Sequence, residues 1–464
     1  MTERSRLAAR SPVAAGERVL VVTTVMIGTI STILAATIVN VAFPAMMQEL
    51  RVGHDTVQWV STGFLAATAT TMLATAWSIE AWGERRTFIA ALALFLTASA
   101  LGAGAWNAES LIAARVLQGA AAGVLQPLAM VALFRVFPVD ERGRAMSLYG
   151  FGVVLAPAVG PALGGALVDA FGWRSIFLLP VPFGVVGLLL GRIALPDARG
   201  ATRRPFDWQG TLLLIASLVA LLNVPVVGHR AGWLSPALFA LAAAGVALAA
   251  AFVGWEHRAP APLLALRLFR HRAFASASLV SFAYGLGLFG TTYLVPVFVQ
   301  DIAAYDASRA GYLLLPPGIA LALAIAAGGR LADRAEPRYV IAAGLALFAV
   351  SSLLLAFAGG ATAFWLLATW LVIGRVGLGM LIPALNVGAV ASLAGTELAY
   401  ASSSVNFVRQ LGGAAGVNLL AVVLEWRLGA YGPAAAARAF HECFALVTCA
   451  FAVAIIPAWF IRRR

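Results

Sequence analysis

Arg115-Val116-Leu117-Gln118-Gly119, inside an apolar run, and Ala156-Pro157-Ala158-Val159-Gly160-Pro161-Ala162-Leu163-Gly164-Gly165, inside the next, decide how this chain is read. A charged turn, Asp140-Glu141-Arg142-Gly143-Arg144, separates the two runs. A charge within a long apolar segment costs about 2.5–3.5 kcal/mol on insertion scales and by default marks a functional pathway. Arg115, Gln118, Ala122 and Gln126 fall at helical spacing, which puts a guanidinium and two amides on one narrow face. In the second run Gly152, Ala156, Gly160 and Gly164 recur every four residues, a spacing that lets two membrane helices meet backbone to backbone. Pro157 and Pro161 free backbone carbonyls and bend that helix, so Pro157, Gly160, Pro161, Gly164 and Gly165 read together as a hinge. A polar stripe beside a bendable, close-packed helix suits a moving permeation path.

Composition sets the class. Of 464 residues, 61% are hydrophobic and 11% charged, more apolar surface than a soluble fold of this size can hide. The formal net charge of +12 does not indicate a nucleic-acid partner: the sequence contains no lysine, and its arginines stand singly or in small groups between apolar runs. Cys443 and Cys449, the two cysteines, read as packing residues. His54, His229, His257, His271 and His441 all fall in loops or at the ends of apolar runs, so neither a metal site nor a cofactor is expected. Nor does an enzyme fit, because the chain has no nucleotide-binding glycine loop and no Ser/His/Asp set held inside a span.

Segments of about 20 residues cross the hydrocarbon core. Fourteen are expected, at 18–46, 56–79, 86–105, 109–135, 143–168, 173–194, 209–228, 233–254, 272–299, 308–330, 338–358, 361–391, 399–424 and 441–461. With the termini placed in the cytoplasm, 23 of the 32 arginines lie inside, 6 outside and 3 within spans, which predicts that orientation in a cytoplasmic (inner) membrane. Two Arg- and Pro-containing loops, Arg192–Trp208 and Glu256–Arg272, bracket the middle of the chain. The expected division is a tail at 1–17, a six-helix bundle at 18–200, a two-helix insert at 201–258 and a second six-helix bundle at 259–464. The bundles echo each other: Arg115-Val116-x-x-Gly119 returns as Arg375-Val376-x-x-Gly379, and the charged loop at 76–86 returns at 329–338. Duplicated halves with a binding site near the midplane are a transporter architecture.

At these motifs the sequence resembles the major facilitator superfamily, and within it the fourteen-span drug:proton antiporters of the EmrB/QacA kind. The resemblance rests on Glu80, Gly83, Arg85 and Arg86 after span 2, on Arg115, Gln118 and Gly119 in span 4, and on Gly160-Pro161-x-x-Gly164-Gly165 in span 5. Thr37-Ile38-Val39-Asn40-Val41-Ala42-Phe43-Pro44 and Asn406-Phe407-Val408-Arg409-Gln410-Leu411-Gly412-Gly413 add to it. It implies an all-α polytopic membrane protein with the major facilitator fold, two six-helix bundles plus two extra transmembrane helices. It also implies export of lipophilic small molecules by alternating access, linked to protons. The chain departs from the pattern in three places. Ala35 stands where the family usually has an aspartate, Ala76, Glu80 and Ala81 depart from the loop pattern, and Ala156 replaces a glycine. The other reading is an exporter or facilitator of a neutral or anionic metabolite or lipid-like compound with weak proton coupling; a non-transporting sensor is the third.

The expected cavity residues are Thr32, Ala35, Asn40, Phe64, Arg115, Gln118, Gln126, Tyr284, Tyr293, Asn406, Arg409 and Gln410. Gating or coupling is expected of Glu80, Arg85, Arg86, Arg115, Asp333, Arg334 and Arg338, and Arg375 reads as a residue at the start of its span. The partners expected are a small lipophilic substrate, the bilayer and protons. The sequence leaves the oligomeric state open, with a monomer favoured.

Overall fold

The computed structural model describes residues 15–137, 159–196, 205–259, 262–264, 266–390, 398–432 and 435–462. Within them every element is helical. The first part of the chain forms α1 (Ala15–Ile38), a 3-10 turn (Val39–Ala42), α2 (Phe43–Leu50), α3 (His54–Val57), α4 (Trp59–Leu73), α5 (Thr75–Trp82), α6 (Glu84–Ala103) and α7 (Ala108–Val136). Helix α8 (Val159–Phe171) follows, then a 3-10 turn (Trp173–Phe177) and α9 (Pro180–Ala194). Helices α10 (Trp208–Ala231) and α11 (Pro236–Glu256) form a pair in the middle. The last part holds α12 (Arg272–Asp301), α13 (Ala307–Leu313), α14 (Leu315–Arg334), α15 (Pro337–Leu355), α16 (Phe364–Val390), α17 (Leu398–Tyr431) and α18 (Ala436–Ala458).

Local chemistry explains where several helices begin. Asn107 and Ser110 form a reciprocal capping box at α7, and Asp207, Ser235 and Asp306 cap α10, α11 and α13 with their side-chain oxygens. Gly83, with φ of 83°, makes the turn between α5 and α6 in a conformation that other residues adopt at a cost. Among the described residues twelve stretches are long and apolar enough to cross a bilayer. Two expected spans are not among them: the second, which divides at Ala74 into α4 and α5, and the fifth, of which Val159–Phe171 is described. Pro157, the turn Asp140–Arg144 and much of the loop Arg192–Trp208 lie outside the described residues, as does the Asp333 side chain.

Packing follows the small residues. α4 crosses α7 so closely that a Cβ on Gly119 would lie 2.2 Å from the Phe64 carbonyl oxygen, and one on Gly123 would lie 2.3 Å from that of Thr68. The Thr68 hydroxyl donates to the Gly119 carbonyl at 3.1 Å. In the last part of the chain α14 meets α16 in the same way, with Gly379 against Ala324 and the Leu321 carbonyl. The repeated Arg-Val-x-x-Gly therefore does the same structural work twice, admitting a neighbouring backbone where a side chain would block it. A third close crossing joins α12 to α17: a Cβ on Gly285 would lie 1.9 Å from the Arg409 carbonyl oxygen, and one on Gly412 2.1 Å from that of Phe282.

The early helices pack chiefly among themselves and so do the late ones, and the main contact between the two sets runs along α4 and α17. α10 touches both of those helices, so the middle pair lies across their seam. There Leu214 and Leu218 of α10 join Ala69 and Leu73 of α4 and Phe407 of α17 in one apolar cluster.

Candidate functional site

Arg115 lies on α7, one turn before Gly119, and is 1% exposed. Its Nε donates to the Val60 carbonyl at 2.8 Å, and its Nη1 donates to the Ala35 carbonyl at 3.2 Å and to Gln118 Oε1 at 2.9 Å. The guanidinium sits 4.3 Å from the centroid of the Phe64 ring, a cation–π arrangement. Gln118 in turn donates to Ser99 Oγ at 2.8 Å. Arg115 thus ties α1, α4 and α7 together, while its Nη2 has no hydrogen-bond partner among the described residues. Beside it a narrow recess lined by Ala35, Ile38, Val39, Arg115, Gln118, Ile176 and Phe177 has no room for a water-sized molecule, so in this arrangement it is closed to a drug-sized ligand.

The other expected cavity residues of the first part are dispersed. Thr32 is buried and its hydroxyl donates back to the Thr29 carbonyl at 2.9 Å. Asn40 lies in the 3-10 turn, where its Oδ1 accepts from Ser61 Oγ at 3.1 Å, and Gln126 is half-buried about three turns beyond Arg115.

A second polar group occupies the late helices. Arg375 is mid-helix in α16, not at its start, and is 8% exposed; its Nη2 donates to Thr292 Oγ1 at 2.8 Å. Tyr284 of α12 is buried within electrostatic reach of both Arg375 and Arg409. Arg409 and Asn406 are half-buried, Gln410 is buried, and Gln410 Oε1 has no partner among the described residues. Arg409 makes no ion pair with any described residue. Every aspartate and glutamate in the described long helices lies within two turns of a helix end. Among the described residues, Arg115, Arg375 and Arg409 are therefore held without an acidic partner.

The early and late helices are knitted together at the end bearing the 51–54 loop. A Cβ on Gly165 would lie 2.1 Å from the Ala307 carbonyl oxygen, and one on Gly311 2.2 Å from that of Pro161. Gln300 Nε2 donates to the Val41 carbonyl at 3.1 Å. Gly160 and Gly164 of α8 face inward against α1, with Cβ positions 2.9 Å from Thr37 Oγ1 and 2.3 Å from Ile38 Cγ1. Tyr293 belongs to this end: it is fully buried, and its hydroxyl bonds to His54 instead of lining an open cavity.

At the opposite end Glu84 is 1% exposed and pairs with Arg135, which brings the start of α6 to the end of α7. Arg85 donates to the Leu195 carbonyl at 2.5 Å. Glu80 is half-buried with no ion pair to a described residue, Arg86 and Arg334 are exposed, and Arg338 lies 4.0 Å from Glu336. Sequence reading missed Glu84 and Arg135. The glutamate directly follows Gly83 and precedes the arginine pair, but its partner is about fifty residues away and no local spacing signals it.

The Major Facilitator Superfamily profile matches residues 25–417. The chain is 34% identical over 400 residues to the multidrug resistance protein B homolog of Mycobacterium tuberculosis (strain ATCC 25618 / H37Rv), covering 84% of this chain and 73% of that protein. It is 31% identical over 417 residues to the methylenomycin A resistance protein of Streptomyces coelicolor (strain ATCC BAA-471 / A3(2) / M145), covering 88% and 87%. With the multidrug transporter protein MdtP of Bacillus subtilis (strain 168) the identity is 29% over 418 residues, covering 89% and 76%. Those relatives, the apolar helices and the close-packed seam agree, and the chain belongs to the major facilitator superfamily, a family of multi-pass membrane transporters.

Proposed function

We propose that this protein is a secondary active exporter of lipophilic small molecules, built as two six-helix bundles with α10 and α11 inserted between them. It works by alternating access in the inner membrane with both termini in the cytoplasm, and its cycle is linked to protons. The observation that carries this reading is the seam at the 51–54 end, where Gly165 meets Ala307 and Gly311 meets Pro161 backbone to backbone. Contacts of that kind hold one end shut without a covalent tie, and a rocking motion of two bundles can make and break them. The drug-resistance names of the relatives support export, and the Arg115 group supports a role in holding α1 and α7 in register.

A second feature favours the anionic or neutral branch of the substrate class. Arg375 and Arg409 lie well inside their helices and Arg115 is 1% exposed, and none of the three makes an ion pair with a described residue. In a low-dielectric interior such cations attract an anion and repel a cation. Cells lacking their own pumps, loaded with a fluorescent lipophilic acid, should lose it faster when this chain is expressed. Equal loss with and without the chain, for acids and neutral dyes alike, would remove the exporter reading.

A further inference from the structure

His54 is the point at which three parts of the chain converge. It opens α3 beside the seam and is 6% exposed. Its backbone N–H donates to Glu425 Oε2 of α17 at 2.7 Å, and its Nδ1 shares a 2.9 Å hydrogen bond with the Tyr293 hydroxyl of α12. Its Nε2 lies 4.0 Å from Asp301 Oδ2 at the end of α12. On its own element Asp55 is 8% exposed, and Arg230 of α10 donates to it at 2.7 Å. Cys443 of α18 is buried within electrostatic reach of Tyr293. The approach is built in, because a Cβ on Gly53 would lie 2.7 Å from Glu425 Oε1.

These groups come from both sides of the seam, so parting the bundles at this end would return His54 to water. Resting on the exporter reading, we propose that His54, bracketed by Tyr293, Asp301, Glu425 and Asp55, is the proton-binding site of this transporter.

The linkage has a definite sign. Burial pushes the His54 imidazole down from its usual 6.5 to about 4 in the closed arrangement, outweighing the pull of Asp55 in the other direction. The imidazole is therefore neutral in the closed end at neutral pH. Its contribution to closure is complete above the exposed value of 6.5 and is lost as the pH falls from there toward about 4. Acid on that side of the membrane opens that end.

The test is a spin-label distance across the closed end, between Trp106→Cys and Ala361→Cys, in full-length protein with Cys443→Ala and Cys449→Ala. Both labelled positions are exposed and lie on opposite sides of the seam. Lowering the pH from about 7.5 to about 4.5 should raise the long-distance population by more than about tenfold relative to the short one. His54→Gln should abolish the response, and Asp301→Asn, which removes a carboxylate 4.0 Å from Nε2 that would offset the burial of an imidazolium in the closed end, should move its midpoint to higher pH. A wild-type response that survives His54→Gln would overturn the proposal. If that variant does not fold, an unchanged midpoint in Asp301→Asn would overturn it. The distance is read without substrate, so a chain that opens with acid but exports nothing counts against the exporter reading and not against this proton site.

Discussion

Asp169, near the end of α8, accepts a hydrogen bond from the backbone N–H of Ser308 at 2.7 Å, and one from Ala307 at 3.3 Å. A carboxylate of the early helices thus satisfies free donors in the first turn of α13 among the late ones, where the helix dipole also favours negative charge. Charge-assisted bonds of this kind contribute about 1.5–3 kcal/mol. Asp169→Ala should weaken the closed end by that order, roughly tenfold or more in the open-to-closed ratio. Faster alkylation of a cysteine placed at Gln300 is the readout; an unchanged rate would mean the contact does not hold the seam.

Two glycines should fail differently. Gly119→Ala pushes a methyl into the Phe64 carbonyl within one bundle, where α4 and α7 have nowhere to go, and should cost about 1–3 kcal/mol of stability. Gly165→Ala meets the Ala307 carbonyl across the seam, which can part. Thermal unfolding in detergent should fall for the first, while the second should keep its melting temperature and shift the spin-label distance toward the open end.

Arg115 makes three hydrogen bonds and a cation–π contact, and its geometry needs a planar fork. Arg115→Ala should destabilise the protein by about 3–5 kcal/mol, the range for removing one member of a buried polar set, and Arg115→Lys should recover less than half. Ala35→Asp should cost less than an unpaired buried carboxylate normally does, because the neighbouring Arg115 has an Nη2 without a hydrogen-bond partner among the described residues. The double variant Ala35→Asp with Arg115→Ala should melt well below the sum of its parts, since it leaves the new carboxylate buried without a cation.

Orientation can be read independently. From the arginine asymmetry we expect the α11–α12 connection in the cytoplasm and the α6–α7 turn outside. In intact cells a membrane-impermeant maleimide should label Trp106→Cys and spare His257→Cys. The reverse pattern would invert the topology.

Much of the architecture was legible because hydrophobic length is a local property. The all-helical class, most of the apolar spans and the close packing of Gly160 and Gly164 are carried by composition and by spacing within one helix. What the sequence hid is long-range. His54 reads as a loop histidine until folding brings it to Tyr293, 239 residues on, and to Glu425, 371 residues on. Tyr293 reads as a cavity residue because it sits mid-run, yet its hydroxyl is spent on that contact. Arg375 reads as a residue at the start of its span because the apolar run around it has no clear start; α16 begins at Phe364 and places it well inside. Glu84 hides in a charged turn, and only the end of α7 shows why it is buried.

The most direct measurement is flux through purified protein in sealed vesicles under an imposed pH gradient, with a labelled lipophilic acid and a labelled lipophilic cation compared side by side. The account predicts gradient-driven movement of the acid well above protein-free vesicles, faster than the cation, with the gradient's effect lost in His54→Gln. Movement of neither compound above protein-free vesicles, under either direction of the gradient, would contradict it.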